Sequence, residues 1–294
     1  MLSAMIIGRV VATFIYIICL KLWQYIDLKK INISKTKEML KYAIPLIPNR
    51  VSWLIINLSS RLVIMNIMTS GALGIYAISS KFANLMDMIY GFFYQSWKES
   101  SARVLQSNDR DDFYNLVYKY LKSFMYSVVL LITSFMPIIF KFLIADTYSE
   151  AILYVPILLL ATYFSNISGF YGGIFTAYKD TKIMGTSTIV AALINLVLMF
   201  IIIKFWGLYA VAISALIANI VVYQYRKIKV KKYVILIENR KKIIFDWIMT
   251  GIIFLLFYSM NINLQMIGIL ISIIYFVSMN YEILKLMKNK LANR

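Results

Sequence analysis

The sequence lacks histidine altogether and has a single cysteine, Cys19, among its 294 residues. A metal site built from cysteine and histidine is therefore excluded, and so is a disulfide within the chain. Without histidine there is no Ser/His/Asp set, and the sequence has no phosphate-binding GxxxxGK loop and no apolar segment with paired carboxylates. The sequence therefore predicts no catalytic residue, no metal, no cofactor and no enzyme activity.

Charge is scarce as well. Charged residues make up 15% of the chain and hydrophobic residues 61%. No charged residue occurs in 151–178, 183–203 or 205–225. Each of these runs reaches the ~20 residues that a helix needs to cross the hydrocarbon core of a bilayer. The predicted fold is all-α, a polytopic membrane helix bundle.

About nine transmembrane helices are predicted. The second and third are separated at the turn-like residues 69–71, and the last two at the polar residues 261–265. The predicted spans are 2–20, 43–68, 72–97, 121–141, 150–178, 183–203, 206–226, 243–260 and 266–284.

The basic residues alternate with these spans. Every second connection and the C-terminal tail together hold 25 of the 31 Lys and Arg residues. They are distributed as six in 21–41, five in 98–122, two in 179–182, eight in 226–242 and four in 285–294. This positive-inside pattern predicts that these segments are cytoplasmic, with the N-terminus outside and the C-terminus inside. A nucleic-acid-binding face would concentrate its charge, so nucleic acid is not a predicted partner.

Two arginines interrupt the second predicted span. At about 100° per residue, Arg50, Asn57 and Arg61 lie within about 40° of one another on the helix. Charged side chains at bilayer depth cost about 2.5–3.5 kcal/mol by insertion scales and usually face a polar interior. With Lys81 at the depth of Arg61 on the next helix, these four residues are the candidate anion-binding cavity wall. The alternative is that the long basic side chains snorkel to the headgroups.

The same two helices carry an acid and several aromatic residues. Asp87 is the acid that lies deep in a predicted span, where it is either a counter-ion for a cavity base or a protonatable site that couples transport to an ion gradient. Trp53, Tyr90 and Tyr94 are candidates for stacking on sugar rings. Trp and Tyr also collect at membrane interfaces, which is the alternative explanation.

Residues 40–82, followed by FFYQSWKESS at 92–101, resemble the central region of bacterial polysaccharide-biosynthesis flippases. Residues 174–227 resemble the C-terminal half of the same proteins. This family lies in the multidrug/oligosaccharidyl-lipid/polysaccharide exporter (MOP) superfamily. The resemblance implies two six-helix lobes around a central cavity and transport by alternating access.

On this resemblance the chain is expected to be a C-terminal portion of such a protein. The implied division is the last helix of an incomplete N-terminal lobe (1–24), a cytoplasmic linker (25–42), a six-helix C-terminal lobe (43–228), and two additional helices with a basic tail (229–294).

The resemblance also implies a function. An undecaprenyl-diphosphate-linked oligosaccharide would be flipped across the bacterial plasma (inner) membrane for lipopolysaccharide, capsule or exopolysaccharide synthesis. A polysaccharide polymerase and other assembly proteins are the expected partners. Two alternatives stay open, a non-transporting truncated remnant or assembly partner of an envelope-biosynthesis complex, and a multidrug antiporter of the same superfamily.

Overall fold

The computed structural model describes residues 2–25 and 32–292. Within these ranges the chain is helical and has no β-strand. The chain divides into two compact units, 1–43 and 44–294. The α-helices are α1 (Leu2–Cys19), α2 (Ile33–Ala43), α3 (Leu46–Ile67), α4 (Ser70–Arg103), α5 (Arg110–Leu143), α6 (Val155–Ala177), α7 (Lys182–Trp206), α8 (Leu208–Val230), α9 (Arg240–Tyr258), α10 (Ile262–Met279) and α11 (Tyr281–Ala292).

The predicted helical membrane bundle is confirmed. Five helices, α5 to α8 and α10, are long and apolar enough to cross a membrane, and α1 contains a shorter apolar stretch over Ile6–Cys19. The other predicted spans coincide with α3, α4 and α9, which carry charged residues within their length. The division of 44–294 into a lobe and two additional helices stays a prediction.

Two predicted boundaries move because helices continue past the apolar residues. Where spans 72–97 and 121–141 are predicted, α4 runs on to Arg103 and α5 begins at Arg110, so both helices extend through charged turns. The fifth span is predicted from residue 150, but Asp146–Leu153 forms a 3-10 helix and α6 begins at Val155. Pro156 lies in the first turn of α6, where proline needs no hydrogen-bond partner.

The connections between the helices of the 44–294 unit lie at two ends. The end formed by the basic connections 98–122, 179–182 and 226–242 is called the basic end. There, Asn115 of α5 donates to the Ile235 carbonyl (3.1 Å) and accepts from the Ile237 amide (2.7 Å), so the α8–α9 connection crosses α5. Tyr233 of the same connection bonds Asp180, between α6 and α7. At the opposite end, the α3–α4 turn, the 3-10 helix and the α7–α8 turn line one pocket.

Aromatic side chains fill the contact between α4 and α6. The Trp97 ring stacks on Phe170 at 4.3 Å, and its Nε1 donates to the Phe170 carbonyl at 3.0 Å. A Cβ at Gly173 would lie 2.4 Å from Trp97 Nε1, and a Cβ at Gly169 would lie 2.5 Å from the Tyr90 hydroxyl. Both positions therefore require glycine for α4 and α6 to pack this closely.

Candidate functional site

The first turn of α3, which carries Arg50, is fixed against α7. A Cβ at Gly185 of α7 would lie 2.7 Å from the Pro45 carbonyl oxygen, so only glycine permits this approach. One turn further on, the Asn49 side-chain oxygen accepts a hydrogen bond from Thr188 of α7 at 3.0 Å. Asn49 is buried, whereas Arg50 beside it is exposed. The position of the predicted anion-binding residue is thus set by packing at its neighbour.

The basic residues predicted to bind an anion lie on exposed faces of the unit. Arg50 and Arg61 are both exposed, and helical geometry separates them by about 20° around α3. Lys81 on α4 is exposed as well. The side chain of Asn57 lies outside the described residues. The opposite side of α3 is buried and partly polar, through Ser52, Ile56 and Ser60 among others.

A polar cavity of about 290 Å³ lies between α3, α4, α6 and α8. It brings together two predicted site residues, Trp53 of α3 and Asp87 of α4. Among the residues described as lining this cavity, Asp87 is the one charged side chain, and none is Lys or Arg. Its remaining polar lining is Ser60, Tyr76, Ser80, Asn84, Thr162, Ser165 and Asn219. Hydroxyl and amide groups thus surround one carboxylate.

The structure separates the other two predicted aromatic residues from this cavity. Tyr90 is 8% exposed, and its ring stacks with that of Tyr94 at 5.7 Å inside the α4–α6 contact. The Tyr90 hydroxyl is buried and makes no hydrogen bond to the described residues. Trp53 is therefore the predicted sugar-stacking residue that lines the cavity.

A buried arginine that sequence reasoning missed joins four helices. Arg226 of α8 is 2% exposed. Its Nε donates to the Ser187 hydroxyl (2.9 Å) and its Nη1 to the Ser168 carbonyl (3.0 Å). Its Nη2 donates to the Asn49 side chain (3.3 Å) and to the Met184 carbonyl (3.4 Å). All these acceptors are neutral, and no carboxylate in the described ranges pairs with it.

The basic end also contains a clustered carboxylate. Glu238 accepts from Lys122 (2.8 Å) and Tyr118 (2.6 Å), lies 3.3 Å from the Tyr223 hydroxyl, and pairs with Lys227. Burial alone would raise the pKa of Glu238, but the hydrogen bonds from Lys122, Lys227 and Tyr118 outweigh it and lower the pKa to about 2. Glu238 is therefore ionised at neutral pH and ties the α8–α9 connection to α5 and α8.

Both missed residues leave a signal in the sequence. Arg226 continues the helical spacing of Asn219 and Val222, which are buried, so it lies on the inward stripe of α8 although it was counted within a cytoplasmic connection. Glu238 is the lone acid among the eight basic residues of 226–242. An isolated acid in a basic run is a candidate partner for several of its neighbours.

The chain was compared with protein families, curated proteins and solved structures. No curated protein matches it. A family model described as "Polysaccharide biosynthesis protein" matches residues 2–91, which run from α1 to the later part of α4. Arg50, Arg61, Lys81 and Asp87 all lie inside the matched segment.

Two solved transporters share the fold. One is a multidrug resistance MATE family transporter of the MOP superfamily in an outward-facing conformation, with a TM-score of 0.57. The other is a MOP superfamily transporter from Pyrococcus furiosus, described as having a binding pocket of reverse polarity, with a TM-score of 0.53. Each is 15% identical to this chain, and each match covers 83% of this chain and 64% of the transporter.

The predicted resemblance is confirmed in two parts: a polysaccharide-biosynthesis family model matches residues 2–91, and the fold is similar to that of two MOP superfamily transporters. The chain is a multi-pass membrane protein with the helical fold of these transporters, and it spans 64% of the length of the two solved examples. A sequence identity of 15% to the solved transporters is evidence for a shared fold and not for a shared substrate.

Proposed function

We propose that this chain takes part in flipping an undecaprenyl-diphosphate-linked oligosaccharide across the bacterial plasma membrane for surface polysaccharide synthesis. The observation that carries the proposal is the placement of Arg50 and Arg61 on one exposed face of α3. Trp53 lies about 60–80° around the same helix and lines the polar cavity. A surface for phosphate thus adjoins a space lined by hydroxyl, amide and aromatic groups.

The chemistry of the cargo fits this division. Guanidinium groups hold phosphate oxygens through paired hydrogen bonds, so Arg50 and Arg61 would bind the diphosphate, with the Lys81 ammonium adding a point charge. The sugars would pass along the polar cavity, where hydroxyl and amide groups replace water as hydrogen-bond partners. The polyprenyl tail would stay in the lipid. Alternating access breaks no covalent bond, so this function needs neither an enzyme activity nor a cofactor.

Asp87 supplies the proposed coupling. A carboxylate in the wall of a membrane cavity gains or loses a proton, or balances a bound cation, as the cavity opens to either side. Replacing Asp87 with Asn should leave binding intact but remove the dependence of transport on an ion gradient. Loss of binding in the same variant would instead indicate a counter-ion for the arginines.

The orientation follows from the distribution of basic residues. We propose that the basic end faces the cytoplasm, with the N-terminus of this chain outside and its C-terminus inside. The polymerase that consumes the flipped repeat unit, and other assembly proteins, are the proposed partners.

The test is flipping in liposomes with a fluorescent lipid-diphosphate oligosaccharide. Replacing Arg50 and Arg61 together with Gln should slow flipping by about 10-fold or more, because each charge-assisted hydrogen bond to the diphosphate contributes about 1.5–3 kcal/mol. The matched control is Arg103→Gln, which removes an arginine whose side chain is 76% exposed and paired with Glu99. Equal flipping by the double variant and the wild type would contradict the proposal.

A second candidate is export of organic cations. The observation in its favour is the lone carboxylate of the polar cavity, Asp87, in a described lining without Lys or Arg. Liposomes loaded with ethidium distinguish the two functions. Cation export should be abolished by Asp87→Asn and unaffected by the Arg50/Arg61 double replacement. Flipping of an anionic lipid should instead be slowed by the double replacement and should lose only its gradient dependence in Asp87→Asn.

A further inference from the structure

A pocket at the end opposite the basic connections has no role in the mechanism above. It has a volume of about 780 Å³, against about 290 Å³ for the polar cavity. The α3–α4 turn, the 3-10 helix before α6 and the α7–α8 turn form its walls. Six of its lining residues define it as the aromatic pocket: Glu150, Tyr154, Phe205, Trp206, Gly207 and Tyr209.

Tyr154 and Tyr209 form a packed wall of this pocket. Tyr154 is 5% exposed, and its ring meets that of Tyr209 edge-on at 4.7 Å. Its hydroxyl donates to the Glu150 carboxylate. Trp206 and Phe205 are 57% and 82% exposed. Residues of an interfacial belt place their rings among the lipid headgroups, whereas Tyr154 is buried beside a carboxylate.

The wall is also held in place from behind. The Ser79 hydroxyl of α4 donates to the Ala151 carbonyl at 2.8 Å, and the Tyr258 hydroxyl of α9 donates to the Leu153 carbonyl at 2.7 Å. Both bonds fix the 3-10 helix that carries Glu150. On the facing side, Gly207 turns the chain between α7 and α8 with a φ of 51°, which favours glycine. A pocket fixed in this way loses little conformational entropy when it binds a ligand.

The charge of the pocket restricts its ligand. Glu150 is the charged residue of the described lining, and no Lys or Arg lies there. A carboxylate repels a diphosphate but accepts strong hydrogen bonds from hydroxyl groups. A pyranose ring carries C–H groups on its faces, which are apolar, and hydroxyl groups at its edge, which are polar. Aromatic side chains pack their faces against the apolar faces of such a ring. The combination therefore selects an uncharged sugar over its phosphorylated carrier.

We propose that the aromatic pocket binds the uncharged glycan of the lipid-linked oligosaccharide on the side of the membrane opposite the basic connections. The inference rests on the proposed flipping function and adds a second subsite to it. The arginine face of α3 holds the diphosphate, and the aromatic pocket receives the sugars at the other end of the unit. Glu150 and Trp206 are the residues that bind the glycan there.

The experiment measures equilibrium binding of two radiolabelled ligands to the purified full chain in detergent. One ligand is the free glycan, released by mild acid from the lipid-linked oligosaccharide of the cells that produce this protein, and the other is bare undecaprenyl diphosphate. Trp206→Leu and Glu150→Gln should each weaken glycan binding by about 5-fold or more and leave binding of the bare carrier unchanged. Trp23→Leu is the matched control, since Trp23 is 52% exposed and lies in the other unit.

Two outcomes would overturn the inference. Either the wild-type chain does not bind the free glycan, or the Trp206 and Glu150 variants bind it as tightly as the wild type does. Circular dichroism and elution volume establish that the variants are folded. Failure of the proposed function has a different signature, because bare undecaprenyl diphosphate would then not bind the wild type, whatever the glycan does.

Discussion

The basic end and the opposite end of the 44–294 unit are held together by different contacts. At the basic end, charged side chains join the elements: the buried Arg226 donates to three other helices, and the partly buried Glu238 contacts two lysines and two tyrosines. At the opposite end, the contacts are edge-on aromatic rings and single hydrogen bonds to backbone carbonyls, around an open pocket that contains Glu150.

This difference indicates that the contacts of the basic end stabilise the fold, whereas the opposite end leaves room for a ligand. A buried charge is costly unless every donor is satisfied, so an element joined by one has few alternative positions. The rigidity reaches the proposed diphosphate site directly, because Asn49 accepts from Arg226 and precedes Arg50 in the chain. The opposite end keeps a pocket of about 780 Å³ that a ligand can enter without breaking a buried ion pair.

The largest effect on this comparison is expected from Arg226→Lys. Lysine keeps the charge but lacks the planar fork that reaches α3, α6 and α7 together, so buried acceptors lose their donors. We expect the free energy of unfolding to fall by about 3 kcal/mol, because one to two buried hydrogen bonds are lost. The free energy is measured by unfolding the purified protein at a series of detergent concentrations. Arg103→Lys, on an exposed side chain, should change stability little, and equal stability of both variants would contradict a rigid basic end.

The next effect is steric. Gly173→Ala places a methyl group where Trp97 Nε1 lies 2.4 Å away, so the indole must move and its hydrogen bond to Phe170 is strained. Overpacking of this kind costs about 2 kcal/mol. Gly251→Ala is the matched control, since a Cβ added there would have no other side chain or helix within 4 Å, and alanine favours a helix by up to about 1 kcal/mol. Opposite signs for the two substitutions are the expected result in the same unfolding assay.

Much of this architecture is predictable because membrane helices leave strong signals. Runs of 20 apolar residues and alternating basic connections predict the helices, and within the 44–294 unit hydrogen bonds join the basic connections of 98–122, 179–182 and 226–242 at one end. The ends of α4 and α5 were not predictable from hydropathy, because a helix continues past the bilayer wherever its own hydrogen bonds and packing allow it. The start of α6 moves for a local reason, the short 3-10 helix Asp146–Leu153.

The candidate site was less predictable than the fold. Helical periodicity places Arg50 and Arg61 on one face of α3 and predicts that this face lines a cavity, whereas both residues are exposed and neither lines the polar cavity. Periodicity along one helix does not show which neighbour covers it, so Tyr90 was grouped with Trp53 although the α4–α6 contact buries it. The burial of Arg226 depends on acceptors from three other helices, a long-range arrangement that no local pattern encodes.

Glu238→Gln should have a smaller effect that depends on pH. The pKa of Glu238 lies at about 2, below its ordinary value of 4.5, so its stabilisation is fully present above about pH 4.5 and is lost as the pH falls towards 2. We expect a loss of about 1.5 kcal/mol at pH 7, after allowing for partial exposure of the cluster. The difference from wild type should shrink between pH 4.5 and 2 in thermal unfolding. A difference that does not change with pH would show that the carboxylate charge is not involved.

The smallest effect is expected at the opposite end, where Glu150→Gln should lower the free energy of unfolding by less than about 1 kcal/mol. Glu150 is exposed, and the amide oxygen of Gln still accepts from the Tyr154 hydroxyl, so no buried group loses its partner. The same unfolding assay therefore sharpens the comparison. If Glu150→Gln destabilised the chain as much as Glu238→Gln does, the carboxylate would be holding the fold together, and the two ends would not differ in kind.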